Sequence, residues 1–425
     1  MSGSQPLNAY ALSVAQQDVS PAMMPESRPR LVNTASRRIV SVASQSGTVQ
    51  PGQSLLFQLP ANMGSGFLVS GSAYIKFRIR VTQAVGYSWS FKQSGSGSSV
   101  FQRVSAILSG QQVESIQMYN KLYHNLLLHA TSLAYCDSDA SIHEGAFTVH
   151  ASEFVTVCVP IALSVLNARQ HLPLFLLSSA LLQFDTESLL NAITQLSVNA
   201  VTNYEISEAS VCFEQLVPEP AYEQGIKAML ASRVYQMSLD TWHNSRYGHQ
   251  ASLTMQIGVN SSSVRAILWG SVPPAGQTAS GNQKASDQTS CQVFADGALV
   301  HNSRLVCDSA GAVSESFAEM QRCLGTMFDV SRTSTACASN GDGVAGQQTA
   351  EALSRASYYD RAFLGGLSLT RETRDNSSFS FVGLPVQNLT ISWQGTAIAG
   401  GEFFTFVALQ QILTIDMTGN VNLIR

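Results

Sequence analysis

Apolar and polar residues alternate along several stretches of the chain, most clearly in the segment YIKFRIRV. Ile75, Phe77 and Ile79 occupy alternate positions there, and charged or polar side chains lie between them. Successive side chains of a strand point to opposite faces, so this spacing predicts a strand with one buried face. The segments 54–59 and 154–163 are apolar with little alternation, which is typical of strands buried on both faces.

A hairpin that leads directly into a helix follows this strand. Val104–Leu108 and Val113–Ile116 predict two strands, and the turn between them contains Gly110. From Tyr119 onward the apolar side chains recur with helical spacing, at positions 122, 123, 126 and 127. The unit is therefore strand, turn, strand, helix.

The same unit occurs a second time. Strand-like segments flank Asp296-Gly297, and a helix is then predicted to open at Ser314 with a capping-box-like serine. Gly110 and Gly297 are 187 positions apart, and this shift also places 76–83 on 263–270. Later segments correspond more loosely: 171–184 with 383–393, and 209–218 with 403–415. The order of elements repeats, which predicts an internal duplication of two β units of about 180 residues each.

These patterns divide the chain into three predicted regions. Residues 1–38 lack periodicity and form a flexible N-terminal arm, 39–220 form the first β unit, and 221–425 form the second. Loops as long as the polar segments between strands are usually functional or disordered, and we expect them at the ends of the units, where they can contact neighbours. These segments are 94–99, 274–290 and 331–348.

The composition points to contact between proteins more than to contact with nucleic acid. Charged residues make up 12% of the chain, about half the usual share, so a broad interface would cost little desolvation. The net charge is −4 and the chain has five lysines, which argues against a general phosphate-binding surface. The arginines of the arm could be a solvated tail or a weak contact to a genome or inner layer: Arg28, Arg30, Arg37 and Arg38.

The seven cysteines are odd in number and include no CxxC pair, which argues against zinc and dithiol sites. The start of the chain has no basic and apolar signal peptide. The longest nearly apolar run, Leu172–Leu182, is too short to span a bilayer. We therefore expect synthesis in a soluble, reducing compartment.

The sequence contains no GxSxG, HExxH, P-loop or GxGxxG motif in a suitable context. His124 and His129 lie on or near the first helix, and His143-Glu144 with His150 could bring an imidazole near a carboxylate. The sequence does not identify a nucleophile with matching geometry. We accordingly predict no enzyme activity, no catalytic, cofactor-binding or metal residues, no cofactor and no small-molecule substrate.

Two segments resemble binding sites and have structural alternatives. The segment 241–249, TWHNSRYGH, could be a sugar-binding aromatic patch or a loop at the start of the second unit that packs on the first. In the C-terminal ILTIDMTGNVNLIR, oxygen-bearing side chains at every second position from Asp416 resemble a calcium loop. An EF-hand needs glycine at its sixth position, where this chain has Val421, and an acid at its twelfth, so a turn at Gly419 is predicted instead.

Taken together, these segments resemble the double-jelly-roll major capsid proteins of tailless icosahedral DNA viruses, in the adenovirus and Polinton-like virus lineage. The second half resembles them in FLGGLSLTR, at 363–371, and in the C-terminal segment. It departs from the first half in a longer connection between hairpin and helix. The first-half positions that carry the resemblance are Gly110, Tyr119, Leu122, Tyr123, Pro160, Leu172, Pro173 and Leu174.

The resemblance implies an all-β fold of two tandem eight-stranded jelly rolls, with short helices in the connecting loops. It implies a major capsid protein whose homotrimers are pseudo-hexameric capsomers that tile an icosahedral shell. The expected partners are further copies of the chain, neighbouring capsomers, and minor capsid or penton proteins. The expected location is the virion, after synthesis and assembly inside the host cell.

Two alternatives remain open at this point. A β-sandwich carbohydrate-binding or spike-like attachment protein would use exposed aromatic residues, for which Trp242 and Tyr247 are the candidates. A jelly-roll enzyme of the cupin type would need a His/Glu metal cluster inside a barrel, and the histidines are not spaced for one.

Overall fold

A computed structural model describes residues 36–82, 88–91, 96–130, 143, 149–150, 153–195, 202–231, 233–272, 288–301, 304–307, 313–325, 335–338, 349–352, 358, 363–370 and 383–424. The first-half strands are β1 (Ser36–Ala43), β2 (Ser54–Leu59), β3 (Phe67–Leu68), β4 (Tyr74–Thr82), β5 (Ser88–Phe91), β6 (Phe101–Leu108), β7 (Gln111–Gln117), β8 (Val149–His150), β9 (Val155–Pro160), β10 (Leu172–Pro173), β11 (Ala180–Thr186), β12 (Ile193–Gln195) and β13 (Asn203–Val217). The second-half strands are β14 (Tyr235–Gly248), β15 (Ser252–Ile257), β16 (Ser261–Val272), β17 (Gln288–Ala295), β18 (Ala298–Leu299), β19 (Leu305–Val306), β20 (Thr335–Ala338), β21 (Thr349–Ala352), β22 (Gly365–Ser368), β23 (Leu384–Val386), β24 (Leu389–Gly395), β25 (Glu402–Ile415) and β26 (Val421–Ile424). The helices are α1 (Tyr119–Ala130), α2 (Ser164–Asn167), α3 (Leu189–Ala192), α4 (Pro220–Met229) and α5 (Ser314–Leu324).

The first half contains an antiparallel sandwich. Sheet A has the strand order β1-β13-β4-β9, with β3 also beside β13 and β10 beside β3, and sheet B has the order β2-β11-β6-β7. Strands that are far apart in the sequence are neighbours in both sheets, as in a jelly roll. A small third sheet, β12-β5-β8, contains Trp89 and Phe91, and both side chains are buried.

The second half repeats this topology. Sheet D has the order β14-β25-β16-β22, with β26 beside β25 and β23 beside β16, and sheet E has the order β15-β24-β17-β18. The strands of the two main sheet orders have counterparts in the first half: β14 takes the place of β1, β25 that of β13, and β18 that of β7. The predicted duplication and the double-jelly-roll fold are therefore confirmed.

The two hairpins that suggested the duplication have the same turn. Ser109 and Gly110 have φ angles of 48° and 79°, and Asp296 and Gly297 have φ angles of 49° and 81°. Two successive positive φ angles give a turn whose twist matches that of the flanking strands. The shift of 187 residues therefore relates turn positions that share a backbone conformation as well as similar residue types.

Each hairpin leads to a helix, as predicted, but the second helix begins differently. α1 starts at Tyr119, and its Tyr119 and Leu122 side chains are buried. In α5, Val313 occupies the N-cap position and no side chain caps the helix. Ser314 already lies inside the helix and so does not act as the cap, which corrects that prediction. Met320 is buried, as the helical spacing indicates.

The alternating strand YIKFRIRV lies as predicted, with Ile75, Phe77 and Ile79 facing the sandwich interior. α4 connects the two sandwiches, and its buried Glu223 carboxylate accepts hydrogen bonds from the backbone N–H groups of Gly64 and Gly66, at 2.7 and 2.9 Å. The boundary at 220/221 remains a prediction, because α4 lies between the last strand of one sandwich and the first strand of the other.

Several predicted regions lie partly outside the described residues, including 1–35 of the arm and most of the long polar segments. Two of the arm's arginines belong to strand β1. Arg37 forms an ion pair with Glu214, and the Arg38 Nε donates to the Gln215 side-chain oxygen at 2.8 Å. In the polar segment 94–99, the described serines are buried in a 3-10 turn and do not project from the end of the sandwich.

Candidate assembly surfaces

The described part of the chain contains no group of three His, Cys, Asp or Glu side chains that could hold a metal ion. None of its described helices is long and apolar enough to cross a membrane. The five cysteines whose thiols the structure describes form no disulfide with one another. The predicted absence of catalytic, cofactor and metal residues remains a prediction.

The C-terminal segment forms the predicted hairpin between β25 and β26. The Asp416 carboxylate accepts hydrogen bonds from Thr418 N and Oγ1, at 2.8 and 2.6 Å, and from Asn420 N, at 3.0 Å. The bond from the Thr418 side chain is the main cause that lowers the pKa of Asp416. The Asp416 carboxylate thus stabilises the turn by accepting hydrogen bonds from Thr418 and Asn420.

This hairpin also contacts the first sandwich. Gly419 has a φ of 84°, and a Cβ placed on it would lie 2.6 Å from the carbonyl oxygen of Leu176. Nearby, the Tyr235 hydroxyl at the start of β14 donates to the carbonyl oxygen of His171 at 3.1 Å. At this end, therefore, the second sandwich contacts backbone carbonyl oxygens of the first.

The aromatic segment 241–249 lies mostly in strand β14 and not in a loop, which corrects one part of its interpretation. Its packing on the first unit is as expected, since Trp242 is half-buried against the main core and β14 lies beside β7. The Tyr247 hydroxyl donates to the carbonyl oxygen of Gln256 at 2.7 Å. A sugar-binding surface would need exposed aromatic faces, and the half-buried Trp242 does not provide one.

We call the contact between β7 and β14 the seam. Gln112 and Glu114 of β7 and Trp242 and His243 of β14 line a groove of about 270 Å³ along it. A second cavity of about 300 Å³ continues between Gln117 and the end of β14. The seam ends at a cluster of three charges in which Lys121 Nζ lies 3.8 Å and Arg246 Nε lies 3.6 Å from the Glu402 carboxylate.

Glu114 is a buried acid at the seam. One carboxylate oxygen accepts hydrogen bonds from Ser164 Oγ at 2.9 Å and Val165 N at 3.3 Å, and the other has no hydrogen-bond partner among the described residues. Burial raises the pKa of Glu114 to about 7, and the hydrogen bonds from Ser164 and Val165 limit the rise. The sequence analysis did not single out this residue, although it is the one acid in an otherwise uncharged strand, Gln111–Gln117.

The histidines singled out in the sequence do not form a catalytic group in the described part of the chain. Burial lowers the pKa of His124 to about 3, with His129 adding to the effect, so the ring is neutral at pH 7. The Nδ1 atom of His143 lies 3.0 Å from the carbonyl oxygen of Cys158. Glu144, its proposed partner, lies outside the described residues.

The outer face of sheet A carries most of its charge in cross-strand pairs. Arg78 pairs with Glu208 and Arg80 with Glu205, each at 2.6 Å, and both guanidinium groups lie 4.7 Å from the centre of the Phe154 ring. On the neighbouring β1, the Ile39 side chain is 78% exposed. On β18 of the other sandwich, Leu299 is 39% exposed. These apolar side chains lie at the outer strands of their sheets, where a partner could cover them.

No protein-family model matches the sequence, and no curated protein matches it significantly. Solved viral structures match the fold. PBCV-1 VP54, fitted into a reconstruction of the virophage Sputnik, has a TM-score of 0.59 at 11% identity, covering 94% of this chain and 99% of that chain. The Sputnik virophage structure has a TM-score of 0.57 at 11% identity, covering 96% and 92%. The Faustovirus major capsid protein has a TM-score of 0.54 at 8% identity, covering 95% and 93%. Over nearly its whole length, then, this chain has the double-jelly-roll fold of viral capsid structures.

Proposed function

We propose that the chain is a major capsid protein whose homotrimers form pseudo-hexameric capsomers of an icosahedral shell. The observation that carries the proposal is the duplication of one jelly-roll topology within a single chain. Three copies around a threefold axis supply six similar sandwiches, so a trimer can occupy a site in a hexagonal lattice. A chain with one sandwich would need six copies to do the same.

The fold neighbours support this proposal, because they include a Faustovirus major capsid protein and a PBCV-1 virus capsid. The low charge of the chain supports it too, since broad contacts between subunits desolvate few ions. Obligate interfaces of this kind bury about 2,000 Å² or more. We accordingly propose a structural role without enzyme activity.

The proposal extends to location and partners. The protein would reside in the virion after synthesis and assembly in the host cell. Its partners would be copies of itself, neighbouring capsomers, and minor capsid or penton proteins at special positions of the lattice. The N-terminal arm, with Arg28 and Arg30, would make a weak contact to the genome or an inner layer.

Light scattering coupled to size exclusion, followed by negative-stain electron microscopy, tests the proposal on the purified full chain. We expect a particle of three times the 45.6 kDa chain mass at micromolar concentration, with a hexagonal outline in projection. A monodisperse monomer that forms no larger particles at any concentration would contradict it. Specific binding in a glycan array, without assembly, would favour an attachment protein instead.

A further inference from the structure

The seam inside the chain joins two particular edges of the jelly rolls. β7 is the end strand of sheet B, and β14 is the end strand of sheet D. They run beside each other, with Gln112 and Glu114 facing Trp242 and His243 across the groove. Each of these edges has a counterpart in the other sandwich because the topology is duplicated.

Among the described residues, no strand of the other sandwich lies beside either counterpart edge. The counterpart of β7 is β18, where the shift of 187 residues places Leu299 on Gln112. The counterpart of β14 is β1, since each pairs along the last long strand of its sandwich. β1 is largely exposed, and its Ile39 is 78% exposed, whereas Trp242 at the covered edge is half-buried. In the described part of the chain, this pair of edges is therefore covered where the two sandwiches meet, and its counterpart pair is exposed.

We infer that β18 of one copy docks beside β1 of a second copy, repeating the seam between chains. The inference rests on the proposed trimer and names the surfaces that would hold it together. In a closed ring of three chains, contacts within and between chains would then alternate around six sandwiches. A head-to-tail contact of this kind joins different surfaces of the two copies and closes when the rotation is 120°.

A second copy is the partner that fits both edges at once. An exposed edge strand with an apolar side chain invites pairing or coverage unless charge protects it. On β1, the charge of Arg37 is engaged by Glu214 of the same sheet, and Ile39, which pairs with Glu214 across the strands, is exposed. On β18, Leu299 is apolar, whereas Gln112, the corresponding residue of the covered strand β7, is polar. Each copy thus offers one of each edge, which is what a closed trimer requires.

Substitution of the two exposed side chains tests this arrangement. Ile39→Asp and Leu299→Asp should each raise the dissociation constant of the trimer more than tenfold, measured by sedimentation velocity over a dilution series. Met63→Asp is the matched control, because Met63 is also an exposed apolar residue, at 43%, but lies on neither edge. It should change the constant less than twofold. Because all three side chains are exposed, the monomer should keep its thermal unfolding temperature.

The outcomes separate this inference from the proposed function. A wild-type chain that is a monomer contradicts the trimer itself, and the docking surfaces with it. A wild-type trimer that both substitutions leave as stable as the Met63→Asp control contradicts only the docking surfaces. A trimer weakened by the Ile39 and Leu299 substitutions and not by the control supports them.

Chemical cross-linking gives a positional test. Ala43, at the end of β1, corresponds to Asp240 in β14, which immediately precedes the groove-lining residues of the seam. The double variant Ala43→Cys with Leu299→Cys, treated with a short bismaleimide, should give covalent dimers and trimers on a denaturing gel. The wild type and each single variant should not. A double variant that remains trimeric but stays unlinked would overturn the proposed register.

Discussion

The last long strands of the two sandwiches, β13 and β25, have the same place in the fold but differ in how many of their side chains are buried. Buried and more exposed residues largely alternate along β13, as in a sheet with one solvent face. In β25, every residue from Phe403 to Ile415 is buried. A single topology has therefore produced one sheet with a polar outer face and one with both faces covered.

The cause of the difference is what lies on the outer face of each sheet. Sheet D is covered by α5, whose Met320 Cα would lie 3.0 Å from a Cβ on Gly366 of β22, and by the first sandwich. Sheet A has no such cover among the described residues. Its outer positions carry Lys76, Arg78 and Glu205. The outer face of sheet D is therefore apolar and aromatic, whereas that of sheet A is charged.

This comparison explains why the two halves share order but few identities. Residues at equivalent positions face an interior in one copy and solvent, or a second chain, in the other. Selection for burial therefore acts on different faces. In a duplicated fold, the positions that differ most in polarity mark where the copies have different neighbours.

Substitutions on the outer faces of the two sheets should break the comparison most strongly. Phe406 of β25 lies on the covered outer face of sheet D, and Glu205 of β13 lies on the charged outer face of sheet A. Phe406→Ala should lower the free energy of unfolding by about 3–5 kcal/mol, because it leaves a cavity in the covered face. Glu205→Ala should cost no more than about 1 kcal/mol, because it removes a half-exposed ion pair. Urea unfolding of both variants measures the contrast, and equal losses would show that sheet D is not covered in solution.

The sequence was sufficient to predict the features that depend on local residue patterns. Alternation in Tyr74–Thr82, the paired glycine turns at Gly110 and Gly297, and helical spacing after Tyr119 each leave a periodic signal. The shift of 187 residues then orders the two halves without any three-dimensional information. These are properties of neighbouring residues, which a linear pattern records.

Contacts between the halves could not be predicted in the same way. His171 and Tyr235 lie in different halves, and Lys121 and Glu402 are separated by more than half of the chain. Their meeting depends on how the two sandwiches lie against each other, which no local period encodes. The segment around Trp242 shows the limit most clearly, because its residue types suggested a loop or a sugar site and its pairing with β25 made it a strand.

The buried acid of the seam should make stability depend on pH. The folded-state pKa of Glu114 is about 7, above its ordinary value of 4.5. Below about pH 4.5 the carboxyl is protonated in both the folded and unfolded states, and it carries no penalty from charge burial. As the pH rises from 4.5 through 7, the unfolded state ionises first and stability falls, by up to about 3 kcal/mol at about 1.4 kcal/mol per pKa unit.

Glu114→Gln should remove this fall. Measured by urea unfolding at several pH values, the stability of the variant relative to the wild type should rise by about 3 kcal/mol between pH 4.5 and pH 8. Ser164→Ala is the companion variant, because loss of its hydrogen bond should move the midpoint of the wild-type fall to higher pH. A stability difference that is constant across the range would place Glu114 in contact with solvent.

The smallest expected effect is a difference in stability between two glycine substitutions. It separates the cost of a left-handed backbone conformation from the cost of disturbing the contact between the sandwiches. Gly419 and Gly297 have similar φ angles, 84° and 81°, but a Cβ on Gly297 would meet nothing within 4 Å, whereas one on Gly419 would lie 2.6 Å from Leu176 O. Gly297→Ala should therefore cost about 1 kcal/mol for the left-handed conformation alone. Gly419→Ala should cost about 2 kcal/mol or more, because the C-terminal hairpin must also move away from the first sandwich. Urea unfolding gives both values, and faster amide exchange around Leu176 in the Gly419 variant alone would locate the added cost. Equal costs would mean that the C-terminal hairpin does not contact the first sandwich. The two sandwiches would then be held together through the β7–β14 seam and not through the hairpin.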